Sequence, residues 1–369
     1  MLNKFLFLLL SFVLLSGCSP TVEVRKIPKR EQMQFAEKDA KTILQQAKAY
    51  HDRGKLKWAA TGYQKAAEMG EAIAQNNLGF MYYKGKGVPQ SLAQATLWFQ
   101  KAAEQGLVDA QYNLARIYQI GAKNVHPNLT KASHWYLKAA KQGDTRALFQ
   151  LGQLSIKNDK IAHDFKQILQ SFQDKAEKGD IQTQKVLGNL YAAGAGLTVN
   201  FREAEKWFRK AAAQNDAEAQ YLLGVMSYEG DGIAQDFKQA EKWFRKAAQQ
   251  EYAPAQSGLG KLYYQGKSVK QHFGEAVHWT KKAAKQGLAD AQNNLALMYY
   301  KGEGTTKDLV LAYKWIKLAA DQGDPRAIEA RKALISKLSV EEITKGERLA
   351  QEWTQSQSAS NKLRLMKSL

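Results

Sequence analysis

The sequence predicts an all-α fold in which helical pairs stack one on the next, and three observations carry that prediction. The chain has 369 residues but only 6 Pro, so obligatory helix breakers are sparse. It repeats itself: a Leu followed by Gly or Ala stands at Leu78, Leu114, Leu151, Leu187, Leu223, Leu259 and Leu295, at spacings of 36, 37, 36, 36, 36 and 36. Two further markers keep step. Glycines follow at Gly85, Gly121, Gly194, Gly230, Gly266 and Gly302, with Asn158 in the remaining place. Then come Trp98, Trp135, Trp207, Trp243, Trp279 and Trp315, with Phe172 where one Trp is missing. Independent markers in lock-step at this period indicate a repeat array, whose units bury their apolar faces only against neighbours.

Taken in order, residues 1–17 precede the fold. Lys4, an apolar run from Phe5 to Leu15, and small residues ahead of a cysteine read as a signal peptide, the run being too short to span a bilayer. LSGC, Leu15 to Cys18, resembles a bacterial lipobox. That resemblance implies cleavage before Cys18 and lipid modification there with palmitate-type chains, more than one of which anchors firmly. Cys18 is the only cysteine, so an intramolecular disulfide is excluded. By resemblance to enterobacterial lipoprotein sorting, an Asp after the cysteine would imply inner-membrane retention; Ser19 stands there instead, which favours an outer-membrane lipoprotein facing the periplasm. Residues 18–38, with Arg25, Lys26, Lys29 and Arg30, form a polar tether.

Residues 39–71 make one helical hairpin ahead of the array, which occupies 72–336 in about seven units. Within a unit, the first helix places residues such as Ala291, Leu295, Met298 and Tyr299 on one face, and the glycine ends it where a positive φ is needed, a role Asn158 can also fill. The second helix carries alanines three before and four after the Trp, such as Ala240 and Ala247 around Trp243. Small residues let helices approach closely while the indole fills the space beside them. Trp243 is therefore expected in the core, with Lys242, Arg245 and Lys246 as a solvated face. Trp58 is out of register, Gly62 holding the Trp position of the hairpin. The unit near 153–175 is degenerate, lacking both Gly-x-Gly and Trp. Ser339 and Glu342 stand at capping-box spacing, so a capping helix is expected over 337–353 and a disordered tail over 354–369.

The stretch AQYLLGVMSYEGDGIAQDFKQAEKWFRKAAQQ, Ala219 to Gln250, resembles the Sel-one-like repeat, a relative of the tetratricopeptide repeat. The resemblance implies a right-handed α-solenoid of helix-turn-helix units. It also implies a concave binding surface lined by the first helix of each unit, at positions two before and two and five after the Leu. Those positions include Asn76, Phe80 and Tyr83; Tyr112 and Arg116; Lys185 and Asn189; Tyr221 and Tyr228; Lys261 and Tyr264; Asn293 and Tyr300. Tyr anchors, amides for backbone and cations for a carboxylate are what a peptide groove uses.

Chemistry is otherwise thin. The Gly-x-Gly of Gly230 to Gly232 could be mistaken for a phosphate loop, but such a loop occurs once and follows a strand, whereas this one recurs between helices and reads as a turn. None of the 6 His falls in a metal-binding motif, a thiolate metal site lacks its second Cys, and no G-x-S-x-G appears. The expectation is therefore a non-catalytic, lipid-anchored scaffold without catalytic residues, metal or cofactor. Its partner is a protein or peptide, and the net charge of +19 points to an acidic partner or surface. A secretory leader removes it from nucleic acid. The alternatives are a secreted factor engaging a host protein and a cell-wall or β-lactam-acting enzyme.

Overall fold

The computed structural model describes residues 38–121, 127–156, 158–232, 234–267 and 270–367. The leader, Cys18 and all of the tether but its last residue lie outside the described residues. Those described form helices and their connections with no strand among them, and they fall into two compact units, one running to Ala110 and one from Gln111 onward.

The first unit pairs α1 (Ala40–Asp52) with α2 (Leu56–Glu68), and α3 (Ala72–Lys84) with α4 (Leu92–Glu104). Its core runs from Ile43, Ala47 and Ala59 through Tyr63 and Leu78 to Trp98. Trp58 is half-buried and stacks on Tyr50 at 6.0 Å between ring centroids, while Gly62 is buried as the register requires. α5 (Val108–Ile120) crosses the division between units.

The second unit continues with α6 (Leu129–Lys141), α7 (Thr145–Ser155), α8 (Asp159–Glu177), α9 (Ile181–Ala193), α10 (Phe201–Ala213), α11 (Ala217–Glu229) and α12 (Phe237–Gln249). After these come α13 (Ala253–Gln265), α14 (Phe273–Lys285), α15 (Ala289–Lys301), α16 (Leu309–Asp321), α17 (Pro325–Ile335) and α18 (Val340–Lys367). From α7 to α15 each first helix packs on the second helix of its repeat and on the second helix before it. The connection within a unit is fixed by both glycines. Gly230 ends α11 at φ 84°, where a side chain would be strained. A Cβ on Gly232 would lie 2.0 Å from Cβ of Phe201 in the preceding unit. Asp236 then donates its N–H to the Ser227 carbonyl (2.8 Å) and accepts from the Gln239 N–H (2.9 Å), which caps α12. The Gly-x-Gly is a chain reversal, as its recurrence indicated.

Three expectations change. Asn158 does not end a helix with positive φ. At φ −154° it is the N-cap of α8, accepting from the Ile161 N–H at 3.1 Å, because the degenerate unit has a longer second helix of 19 residues. The indoles are not uniformly core: Trp98, Trp207, Trp279 and Trp315 are buried, but Trp135 and Trp243 are only half-buried. The ring wedged against the Leu-Gly glycine belongs to the next residue. A Cβ on Gly79, Gly188 or Gly224 would come within 2.8, 2.4 or 2.4 Å of Phe99, Phe208 or Phe244. Finally, the C-terminal helix has the expected capping box, with Ser339 N–H to Glu342 at 2.9 Å and Glu342 N–H to Ser339 Oγ at 3.2 Å. It packs on α16 through Gly346, Ala350 and Trp353, and it runs on to Lys367 through most of the stretch expected to be disordered.

Buried glutamines join consecutive repeats. The Gln four residues into a first helix is buried and donates its amide to an alanine carbonyl at the end of the preceding second helix, as Gln256 does to Ala248 (3.3 Å). Its own amide oxygen accepts from the Gln that closes its unit's second helix, Gln286 to Gln256 at 2.9 Å, and Gln286 also donates to the Glu251 carbonyl at 2.9 Å. The Gln-to-Gln bond recurs at Gln75 with Gln105, Gln111 with Gln142, Gln184 with Gln214, Gln220 with Gln250 and Gln292 with Gln322, while the closing Gln's second bond varies, Gln250 reaching the Asn215 side chain and Gln322 the Leu318 carbonyl. A buried amide costs little once its bonds are made and much if one is lost.

Candidate functional site

The first helices of the second unit present one row of side chains because each repeat sets them in equivalent positions, and three hollows open along that row. The widest, about 660 Å³, is lined by Tyr112, Arg146, Phe149, Val186 and Asn189 among others. The Arg146 guanidinium lies 4.5 Å over the Tyr112 ring while paired to Asp144, the buried cap of α7. The second hollow, about 460 Å³, is walled by Tyr221, Val225, Ser257, Lys261 and Asp290. Tyr221 is held between Phe244 and Tyr252 at 5.7 and 5.6 Å, and burial pushes its phenol above the usual tyrosine range. The third, about 330 Å³, has an apolar floor of Ala296, Leu297, Ile316 and Leu334 and a polar rim of Asn293, Tyr300, Arg326 and Lys337.

The row thus gathers Tyr112, Asn189, Tyr221, Tyr228, Lys261, Asn293 and Tyr300 of the residues read from the sequence. Two of these are less available than expected. Tyr228 is 8% exposed, its hydroxyl donating to Gln265 at 2.7 Å beneath the Lys261 ammonium, 4.5 Å from the ring. The Tyr300 hydroxyl accepts from Lys337, a bond that draws the phenol below its usual range. Tyr264 lies outside the hollows, edge-on to Phe273 and bonded to Glu303 at 2.8 Å. Arg116 is exposed but lines none of the three.

Lys185 is the clearest correction among the cations. Instead of waiting for a carboxylate it is buried, 7% exposed, with Nζ 3.1 Å from Asp216 and 2.7 Å from Glu218 at the start of α11. Burial works against its charge, but bonds to those two acids outweigh it and raise its pKa. It ties one first helix to the next. In the first unit, Phe80 is exposed, and Tyr83 is half-buried with the Lys84 ammonium 5.2 Å over its ring; Asn76 is half-buried.

The hollows can do recognition: apolar floors, aromatic walls, and amide or cationic rims. No grouping of three or more His, Cys, Asp or Glu able to hold a metal exists among the described residues.

The Sel1 repeat family model matches six stretches, residues 72–107, 108–144, 183–216, 217–252, 253–288 and 289–324, which together cover more than half of the chain. The gap between 144 and 183 is the degenerate unit. A Sel1 repeat protein from Oxalobacter formigenes is 27% identical, with a TM-score of 0.51 over 76% of this chain and 99% of that one. A protective antigen of uropathogenic Escherichia coli strains displaying an SLR fold is 26% identical over 92% of this chain and 97% of its own, with a TM-score of 0.34. An immunity protein from Pseudomonas aeruginosa is 20% identical over 68% and 81%, with a TM-score of 0.39. No curated protein sequence matches the chain.

Proposed function

The chain belongs to the Sel1 repeat family, whose repeats commonly mediate protein–protein interaction, and from that premise we propose a non-catalytic scaffold of the cell envelope. It holds an extended segment of a partner protein along the first-helix row. The observation that supports this most is the succession of three hollows on equivalent positions of that row, at Tyr112 to Asn189, Tyr221 to Asp290 and Asn293 to Lys337. Apolar floors with polar rims suit a peptide that seats side chains at intervals and bonds its backbone between them. The rims carry both Lys261 and Asp290, so the row itself does not demand an acidic segment. Anchoring rests on the sequence alone: LSGC at Leu15 to Cys18 supports a chain acylated at Cys18 and held at the outer membrane.

A photo-crosslinking residue placed at Phe149, Val225 or Leu297 should capture one protein band in living cells, and the same residue at Lys242, on a second helix, should not. Equal capture from both faces would dismiss the row as the working surface. Palmitate-analogue labelling of wild type against Cys18→Ala tests the anchor, and unchanged labelling of the variant would reject it.

A further inference from the structure

The positive charge is not spread evenly over the second unit. The Trp-bearing second helices α6, α10, α12, α14 and α16 together hold 16 Lys and Arg against 5 Asp and Glu, whereas the first helices α7, α9, α11, α13 and α15 hold 4 against 3. The hollows of the first-helix row therefore do not account for the strongly basic balance. Its location is the opposite row.

There the cations are arranged on aromatic faces. In each of these helices a lysine ammonium sits over the indole: Lys138 on Trp135 at 4.4 Å, Lys210 on Trp207 at 4.3 Å, Lys246 on Trp243 at 4.8 Å, Lys282 on Trp279 at 5.1 Å and Lys314 on Trp315 at 4.8 Å. Stacking fixes the ammonium at the surface while its stem covers the ring. The carboxylates of the row are mostly spent on local partners, Glu205 on Arg209 and Glu241 on Arg245; Lys210 and Lys282 also pair with Glu177 and Glu251 and Lys314 is half-buried, yet the row keeps an excess of cations, Lys138 and Lys246 among the exposed ones. α8, the second helix without a Trp, breaks the pattern and carries four acids against three bases.

We infer that this second-helix row is a binding surface for an anionic bilayer. Lys238, Lys242, Arg245 and Lys246 line one shallow hollow on α12, but the cations recur on five helices along the row, which fits a continuous charged surface better than a discrete anion. Half-exposed indoles at Trp135 and Trp243 with lysines snorkelling over them suit a headgroup layer, where one end of the side chain is apolar and the other wet. Attachment is peripheral, since no helix among the described residues is long and apolar enough to cross a membrane. The row would turn the three hollows away from the lipid, independently of any acyl chain. The tether between Cys18 and Lys38, about 70 Å when fully extended, is long enough to let the array lie down.

The test uses the unacylated chain from Ser19 onward, which keeps every described helix, and vesicles of phosphatidylcholine with about one-third phosphatidylglycerol in a sedimentation assay. The wild type should partition onto these vesicles, release them as salt rises, and ignore pure phosphatidylcholine. Each lysine at an anionic surface is worth about fivefold in partition. The quadruple variant Lys138→Gln, Lys210→Gln, Lys246→Gln and Lys282→Gln should therefore lose about 100-fold or more, and the matching Lys→Arg variant should retain binding. A control with the same charge loss elsewhere, Lys261→Gln, Lys267→Gln, Lys301→Gln and Lys337→Gln, should lose less than about tenfold. Equal losses from both quadruples would overturn the assignment, as would capture of heparin by a wild type that leaves the vesicles unbound. Far-UV circular dichroism on each variant separates lost binding from lost folding, and a misfolded Gln variant leaves the Arg variant and the control to decide.

Discussion

Replacing Gly188 with alanine should destabilise the second unit, although the same change in an open helix would stabilise it. Removing a helical glycine gains about 1 kcal/mol in propensity. Here the added methyl would stand 2.4 Å from Cε1, 2.7 Å from Cδ1 and 2.8 Å from Cζ of Phe208, a ring 2% exposed and packed among Ala204, Leu223 and Met226. Neither the ring nor the helix can retreat far, and overpacking of this kind costs about 1–3 kcal/mol. Set against that gain, the clash leaves a net loss of up to about 2 kcal/mol, and contacts as short as 2.4 Å put the change toward the upper end. The chain contains its own control: twenty residues apart in the same way stand Ala296 and Ile316, an alanine facing a narrower side chain. Gly188→Ala with Phe208→Ile should therefore be more stable than Gly188→Ala with Phe208 intact, whereas Phe208→Ile alone should be less stable than wild type. Urea unfolding followed by circular dichroism and by hydrogen exchange across α9 and α10 measures the cycle, the second probe being needed because repeat arrays open locally. A Gly188→Ala variant as stable as the wild type, or a double variant whose losses simply add, would refute the wedge.

Trp207→Ala should cost about 3–5 kcal/mol, whereas Trp243→Ala, at a half-exposed indole in the same register, should cost less than half of that; equal melting shifts would contradict the burial difference. Lys185→Glu should lower the thermal midpoint by placing a buried anion against Asp216 and Glu218, while Arg116→Glu, at an exposed position, should leave it unchanged, as differential scanning calorimetry would report. The Asp324 carboxyl is held below its ordinary value of 3.8 chiefly by its bond to Arg326. A depressed carboxyl contributes stability above its unfolded pKa and loses it as pH falls through the folded one. Stability of the C-terminal pair should therefore hold from pH 7 to about 4 and decline below that, and Asp324→Asn should flatten the decline in an acid titration followed by hydrogen exchange of α17.

The fold was legible because its signals are local. Gly230 ends its helix through its own φ, Asp236 caps the next within three residues, and Ser339 with Glu342 makes the expected box, so each can be read without knowing a neighbour. What stayed hidden depends on contacts about thirty residues away. Lys185 reads as a free cation in its own helix, and only the start of α11 shows that Asp216 and Glu218 claim it. Two further features do have a signal in the sequence, beside the more conspicuous Trp. Phe208 and Phe244 recur twenty residues after Gly188 and Gly224, and Gln recurs at fixed places in nearly every unit. Asn158 misled because a left-handed cap and an N-cap favour the same residue type. Of the candidate site, periodicity sets which positions share a face; the choice of the first-helix face as the binding one came from the resemblance. The state of Tyr228 and Lys261 was not legible, because the lysine closes over the ring and the phenol turns to Gln265.

The glutamine relay puts the same Gln-to-Gln bond at each junction between consecutive regular units. Excising 217–252 would bring the Gln256 amide to the Ala212 carbonyl and Gln286 to that of Asn215, the same joint remade from different members. Such an array can lengthen or shorten by whole modules without inventing a new interface. The exception is the junction at Gly143, where Leu148 and Lys178 stand in the relay positions of the following unit; the far end of that unit keeps its socket, the Ala176 carbonyl accepting from Gln184, so only a module joined at Gly143 meets no glutamine.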